Sequence, residues 1–233
     1  MIVYGRNPVH EAIRGPREVR QVWATGGTLR EPWLSAARDG GVRVSEAKAD
    51  SILDRCGSDA HQGICADVAD YRYADSAQLL TAPVPLLVAL DQVQDPQNLG
   101  AIARSAECAG ATGIVIPDRR AAEVTAAVCK ASAGAVEHIP IARVRNLTDF
   151  LGDAKAAGLW CYGAAMDGAA DYREVDFSGP AVLVMGSEGR GLRPRVAGGC
   201  DLTVSLPVRG RIESLSVGAA AAVLLYAAAA TRG

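Results

Sequence analysis

Residues 86–116, LLVALDQVQDPQNLGAIARSAECAGATGIVI, read as a buried strand, a capped helix and a second buried strand. LLVAL and GIVI are continuous apolar runs, too short for helices and bounded by polar or glycine punctuation. Between them Asp95 stands as a capping carboxylate and Pro96 takes the first helical position, so Asn98 falls in the first turn, among free backbone amides. The alternation continues downstream. Apolar runs VEHIPIA (136–142), LWCYGA (159–164), AVLVM (181–185) and LTVSL (202–206) are separated by helical stretches that include 98–110, 121–131 and 147–157. Strands apolar on both faces, interleaved with helices, predict a mostly parallel α/β sheet covered on both sides. In such sheets ligands sit in the loops beyond the carboxyl ends of strands.

The first 70 residues carry a smaller α/β pattern. Helices are expected over 7–13, 32–39 and 47–55, and strands over 19–24, 42–44 and 64–68. Residues 71–85, YRYADSAQLLTAPVP, lose periodicity and end in two prolines, which marks a linker. The expected division is 1–70, 71–85 and 86–233, with the two folded parts separable.

Composition excludes the extremes. The chain has 233 residues, is 49% hydrophobic and 21% charged, and carries 24 basic against 26 acidic side chains for a net charge of -2. That is an ordinary globular composition, and its acidic balance argues against a generic nucleic-acid coat. Six scattered cysteines show neither metal-ligand spacing nor a disulfide framework, so thiols in a reducing cytoplasm and no metal site are expected. The N-terminus has no signal-peptide pattern. Residues 214–231 are uncharged, but alanine-rich with Gly218 inside, which favours a buried helix over a membrane span.

Three loops after predicted strands carry unusual residues. After LLVAL, Arg104 lies in an otherwise small and apolar helix, either paired with Glu107 three residues on or aimed at a ligand. After AVLVM, GSEGRG (186–191) is not the dinucleotide-binding glycine pattern; it is either a tight turn or a close approach of backbone to a ligand, with Glu188 held among the glycines. After LTVSL, a loop carries Arg209 and Arg211, and Ser214 is placed to begin the long apolar helix. With Arg190, Arg193 and Arg195 these make five arginines within 22 residues, either solubilising charge or contacts to phosphate.

Taken together, N-x(5)-R at Asn98 and Arg104, GSEGRG at 186–191, and P-x(6)-SLSV from Pro207 resemble the three motifs of the SpoU, or TrmH-like, family of RNA ribose 2'-O-methyltransferases. YGRNPVHEAIR (4–14) and HQGICADV (61–68) are similar to that family's small substrate-binding domain, akin to an RNA-binding ribosomal-protein fold. The resemblance is closest to the branch that modifies guanosine in 23S ribosomal RNA. It implies a trefoil-knotted C-terminal domain, a homodimer, and S-adenosylmethionine bound in the knot through Gly186, Leu206 and Leu215. Asn98, Arg104, Glu188 and Ser214 match the family's catalytic positions, and Arg190, Arg193, Arg209 and Arg211 are candidate RNA contacts. The same resemblance leaves open transfer RNA, a ribosomal adenosine, or a non-catalytic ribosome-assembly role. One departure stands out: Ser216 replaces the family's usual asparagine.

Overall fold

The computed structural model describes residues 1–232, which form two sheets. The first contains β1 (Ile2–Tyr4), β2 (Val19–Ala24), β3 (Val44–Glu46) and β4 (Ile64–Val68) in the order β1-β4-β2-β3, with α1 (Arg6–Arg14), α2 (Pro32–Asp39) and α3 (Ala49–Cys56) between them. After α4 (Ser76–Leu80), the second sheet is built from β5 (Leu86–Asp91), β6 (Gly113–Pro117), β7 (Ile141–Val144), β8 (Trp160–Ala164), β9 (Ala170–Asp171), β10 (Ala181–Gly186) and β11 (Leu202–Ser205). Its helices are α5 (Pro96–Cys108), α6 (Ala126–Ala131), α7 (Leu147–Ala156), α8 (Pro194–Ala197) and α9 (Val217–Ala230).

The strand order of the second sheet is β7-β6-β5-β10-β8-β11-β9, and every ladder among the described residues is parallel. β10 therefore enters the middle of the sheet between β5 and β8, after both neighbours have been laid down. The trefoil knot implied by the resemblance fits this order. β5, β6 and β10 are buried along their whole length, as continuous apolar runs require when both faces are covered.

Several local expectations are corrected. The run 136–142 opens as a 3-10 turn at Ala135–Glu137, and the strand starts only at Ile141, after a proline that has no N–H for the ladder. His138 thus closes a turn instead of lying on a strand. The helix expected over 121–131 begins at Ala126. Residues 71–85 are not a free tether. Asp75 caps α4 by accepting from the Ala77 amide at 3.0 Å, Leu79 is buried, and the Tyr73 and Tyr71 hydroxyls accept from the Val124 and Ile141 amides at 3.0 and 3.2 Å.

The two sheets share one apolar core: Val3, Val9 and Ala12 belong to the same buried cluster as Val128, Val136 and Ile139. At the seam Arg17 and Glu137 form an ion pair whose side chains are 7% and 0% exposed, with Arg17 Nε donating to Glu137 Oε2 at 2.8 Å and a second guanidinium nitrogen donating to the Ala69 carbonyl at 3.1 Å. His138 Nε2 lies 2.7 Å from Glu11 Oε2 beside it. Removing residues 1–70 would uncover this seam. Breaking a buried pair strands the other charge, at a cost of about 3–5 kcal/mol. Arg17→Met is therefore expected to lower unfolding free energy by about 3–5 kcal/mol in denaturant titration; a loss below about 1 kcal/mol would contradict the buried role of the pair.

Candidate active site

Because the large sheet is parallel, the loops after β5, β10 and β11 leave from the same edge. β5 ends on Asp91, a carboxylate with no exposed surface. Its Oδ2 accepts from the Arg193 amide at 2.8 Å and its Oδ1 from Arg193 Nε at 2.7 Å. A buried carboxylate needs such partners, and here they come from the segment following β10. The loop after β10 is thereby tied to the end of β5. Arg193, a candidate RNA contact, is exposed and pairs part of its guanidinium with Asp91.

The loop itself is a tight turn. The Ser187 amide donates to the Gly191 carbonyl at 3.2 Å, and the Gly191 amide returns to Ser187 at 2.9 Å. A Cβ on Gly186 would lie 2.1 Å from the Gly191 carbonyl carbon, so only glycine lets the chain double back at this point. Glu188 and Arg190 project from the turn, exposed.

α5 starts as the sequence predicts, with Asp95 accepting from the Gln97 amide at 2.9 Å. Gly100 brings α5 against α6, since a Cβ there would meet the Ala131 side chain at 2.4 Å. Arg104 lies one turn further on, exposed, with no ion pair among the described residues; the alternative of a bridge to Glu107 is not formed. Asn98 is half-buried at the first turn. Its Oδ1 is 3.7 Å from where a Cβ of Gly218 would stand, so the first motif meets the start of α9.

The loop after β11 is open. Among the described residues, no backbone N–H of residues 208–215 is bonded to another backbone group. Val208, Ile212 and Leu215 are exposed, Ile212 by 77%. Ser214 is exposed in this loop and does not begin the helix. The cap of α9 is Ser216, whose hydroxyl accepts from the Ala219 amide at 3.3 Å. Serine and asparagine are near-equivalent helix caps, so an asparagine at 216 would serve this local role as well. Beside the loop, Asp171 on β9 is held down to about 2 by hydrogen bonds from Arg173, with the Arg209 charge adding to the effect.

Free amides, exposed apolar side chains and a glycine that admits no Cβ, gathered at one sheet edge, suit a ligand with a flat polar-edged ring. Leu206 lies half-buried at the foot of the loop. The donor set is compatible with S-adenosylmethionine, the cofactor the resemblance implies: the amides of 208–215 would be free to meet an adenine edge, and Gly186, Leu206 and Leu215 stand at the same sheet edge as candidate walls. Burial pushes the Cys161 and Cys200 thiols up to about 12 and about 11, which removes them as nucleophiles. Among the described residues there is no metal-ligand cluster, and no helix is long and apolar enough to cross a membrane.

Comparison with known proteins matches residues 85–226 to the SpoU rRNA Methylase family, and residues 2–74 to the model described as RNA 2'-O ribose methyltransferase substrate binding. The chain belongs to the SpoU rRNA methylase family. Membership makes it an RNA methyltransferase dependent on S-adenosylmethionine. It is 38% identical over 232 residues to the putative TrmH family tRNA/rRNA methyltransferase YacO of Bacillus subtilis, covering 96% of this chain and 93% of that one. The SpoU methyltransferase AviRb from Streptomyces viridochromogenes, solved with AdoMet, superposes with TM-score 0.82 at 29% identity, over 100% of this chain and 90% of that one. The AdoMet-bound rRNA methyltransferase from Sinorhizobium meliloti gives 0.82 at 29%, over 97% and 85%.

The motifs legible in the sequence thus reach one edge, but Arg104 and Glu188 form no ion pair with each other among the described residues. Asp91 was missed. A carboxylate closing a fully apolar strand was the available signal.

Two outcomes follow for this site. Ser216→Ala is expected to cost about 1 kcal/mol in unfolding free energy and Ser216→Asn only a few tenths; equal losses would remove the capping role. Arg193→Ala, which removes the cation from buried Asp91 and leaves it only the backbone amide at 193, is expected to cost about 3 kcal/mol and to weaken S-adenosylmethionine binding in calorimetry. Arg190→Ala should stay within about 0.5 kcal/mol of wild type. Matching behaviour of the two arginine variants would contradict the latch.

Proposed function

We propose that the protein transfers a methyl group to a ribose 2'-hydroxyl of a guanosine in 23S ribosomal RNA, with residues 1–70 choosing the RNA and residues 86–233 carrying the chemistry. The observation that supports it most is the convergence of Asn98, Glu188 and the unbonded amides of 208–215 at one sheet edge, with an uncompensated Arg104 on the helix that leads away from it. The substrate-binding model at residues 2–74 supports RNA ribose as the acceptor. A solved neighbour called an rRNA methyltransferase, which matches over both sheets, supports ribosomal RNA.

S-adenosylmethionine supplies an electrophilic methyl group on a sulfonium. The chain's own residues must hold a ribose hydroxyl in line and make it nucleophilic; positioning of this kind contributes on the order of 7–11 kcal/mol. Arg104 brings a guanidinium, a group with five N–H donors and no acceptor. It therefore clamps a phosphate beside the target ribose and stabilises the alkoxide that forms as the hydroxyl proton leaves. Glu188, exposed on its turn with no cation paired to it among the described residues, receives that proton. Asn98 and Ser214 orient the ribose, and Arg190, Arg209 and Arg211, exposed around the same edge, take flanking phosphates.

A second copy of the chain belongs to the reading. α5 and α9 pack together, and the outer face of α9 leaves Val223 and Tyr226 exposed, Tyr226 by 56%. A homodimer would cover them. The cytoplasm suits six cysteines that form no disulfide.

Arg104→Ala is expected to reduce methyl transfer by on the order of a hundred- to a thousandfold, while S-adenosylmethionine affinity by calorimetry changes less than about twofold. A parallel loss of affinity would refute the assigned role. Offering 23S ribosomal RNA and transfer RNA transcripts in parallel, followed by nucleoside mass analysis, should yield 2'-O-methylguanosine from the ribosomal transcript; label confined to transfer RNA, or to a ribosomal adenosine, would redirect the substrate.

A further inference from the structure

At the seam between the two sheets, away from the motif loops, lies a cleft of about 250 Å³ lined by Arg6, Asn7, Pro8, Gln62, Lys130 and Ala133. Its residues come from both parts of the chain: Arg6, Asn7 and Pro8 from α1, Gln62 from the turn before β4, Lys130 from α6 and Ala133 just beyond it. Lys130 is the unusual member. It is half-buried, and no carboxylate pairs with it among the described residues. Its ammonium lies over the face of Tyr4, 6.0 Å from the ring centroid. Desolvation alone pushes the Lys130 amine down from its ordinary value, with no anion offsetting it. A cation that has given up water without gaining a counter-charge is one that an incoming anion stabilises.

The rest of the lining is arranged to donate. Gln62 accepts from the Arg6 amide at 3.0 Å through its carbonyl oxygen, which leaves its NH2 group as a donor. Arg6 gives one nitrogen to Glu31 at 3.1 Å; its guanidinium has further donors. Counting Glu31 against Arg6 leaves the cleft one net positive charge, that of Lys130. Gln62 and Ala133 both hold positive φ, 55° and 52°, a conformation that costs free energy in side-chain-bearing residues and that the surrounding structure sustains here. The cleft is one helix contact removed from the proposed chemistry. Ala131, next to Lys130, is the residue that Gly100 of α5 packs against, between Asn98 and Arg104.

We propose that this junction cleft binds a backbone phosphate of the substrate RNA, held by Lys130 from the methyltransferase half together with Arg6, Asn7 and Gln62 from the N-terminal half. The proposal rests on the RNA reading above and adds a contact that both halves must form at once. A phosphate bound there fixes the path of the RNA from the substrate-binding sheet onto α5.

The test uses the full chain, with filter binding of a radiolabelled 23S ribosomal RNA transcript over a range of salt concentrations. Each phosphate contact contributes about 0.7 to 0.9 to the slope of log affinity against log salt. Lys130→Gln is expected to reduce the slope by about that amount and affinity by roughly three- to fivefold at moderate salt, with S-adenosylmethionine affinity unchanged, and Lys130→Arg should restore the slope. An unchanged slope in folded Lys130→Gln would overturn the proposal while leaving the RNA reading intact; absence of RNA binding by wild type would overturn both. Should thermal melting show Lys130→Gln unfolded, Ala133→Asp supplies the second test. It sets a carboxylate beside Lys130 at a position whose positive φ aspartate tolerates, and it should reduce the slope likewise; wild-type behaviour would refute the site. Inorganic phosphate that raises the melting temperature of wild type alone, with equal RNA slopes, would assign the cleft to a free anion and refute the RNA contact.

Discussion

The methyltransferase half is organised around one buried charge. Asp91 ends a strand that is apolar from its first residue, has no contact with solvent, and finds its partner 102 residues later in Arg193. Burial makes that partner obligatory, because an unpaired carboxylate at this depth costs several kcal/mol. The pairing decides where the turn after β10 must lie, which decides that Gly186 folds back on Gly191 and that Glu188 and Arg190 project outward. With α5 set against α6 at Gly100 and Asn98 against the start of α9, the loops after β5, β10 and β11 become parts of one edge. The parallel sheet brings them there; Asp91 fastens the first two together.

A second buried pair does comparable work between the two halves. Arg17 and Glu137 lie 120 residues apart in a core shared by both sheets. The substrate-binding half is therefore held in register with the catalytic half. A rigid seam lets an RNA be measured across both at once, and it accounts for an enzyme whose net charge of -2 gives little nonspecific attraction to RNA. Under the proposed function, recognition would rest on shape and on a few placed cations, the way structured RNA is usually read.

Much of this was legible from residue pattern. The β5–α5–β6 unit was readable because Asp95 and Pro96 mark a helix start by local chemistry that structure seldom overrides. The continuous runs of β10 and β11 were readable because burial on both faces leaves no polar positions. β1 and β9, of three and two residues, carry too few positions for any period to show. The start of α9 was misplaced because Ser214 and Ser216 are equally good caps; the choice is settled by which hydroxyl reaches the Ala219 amide. Arg193 and Glu137 were unreadable for another reason. Their partners lie more than a hundred residues away, and local pattern holds no record of them. Lys130 escaped for the converse reason, since what sets it apart is a partner it does not have.

On the proposed reading, the turn after β10 and the loop after β11 together hold S-adenosylmethionine, with the unbonded amides of the second loop as its donors. Amide hydrogen exchange with and without S-adenosylmethionine tests it most directly. Exchange should slow at residues 208–215 and 187–191 together, and stay unchanged in β2 and β4. Protection of only one of these segments, or protection confined to other parts of the chain, would contradict the account.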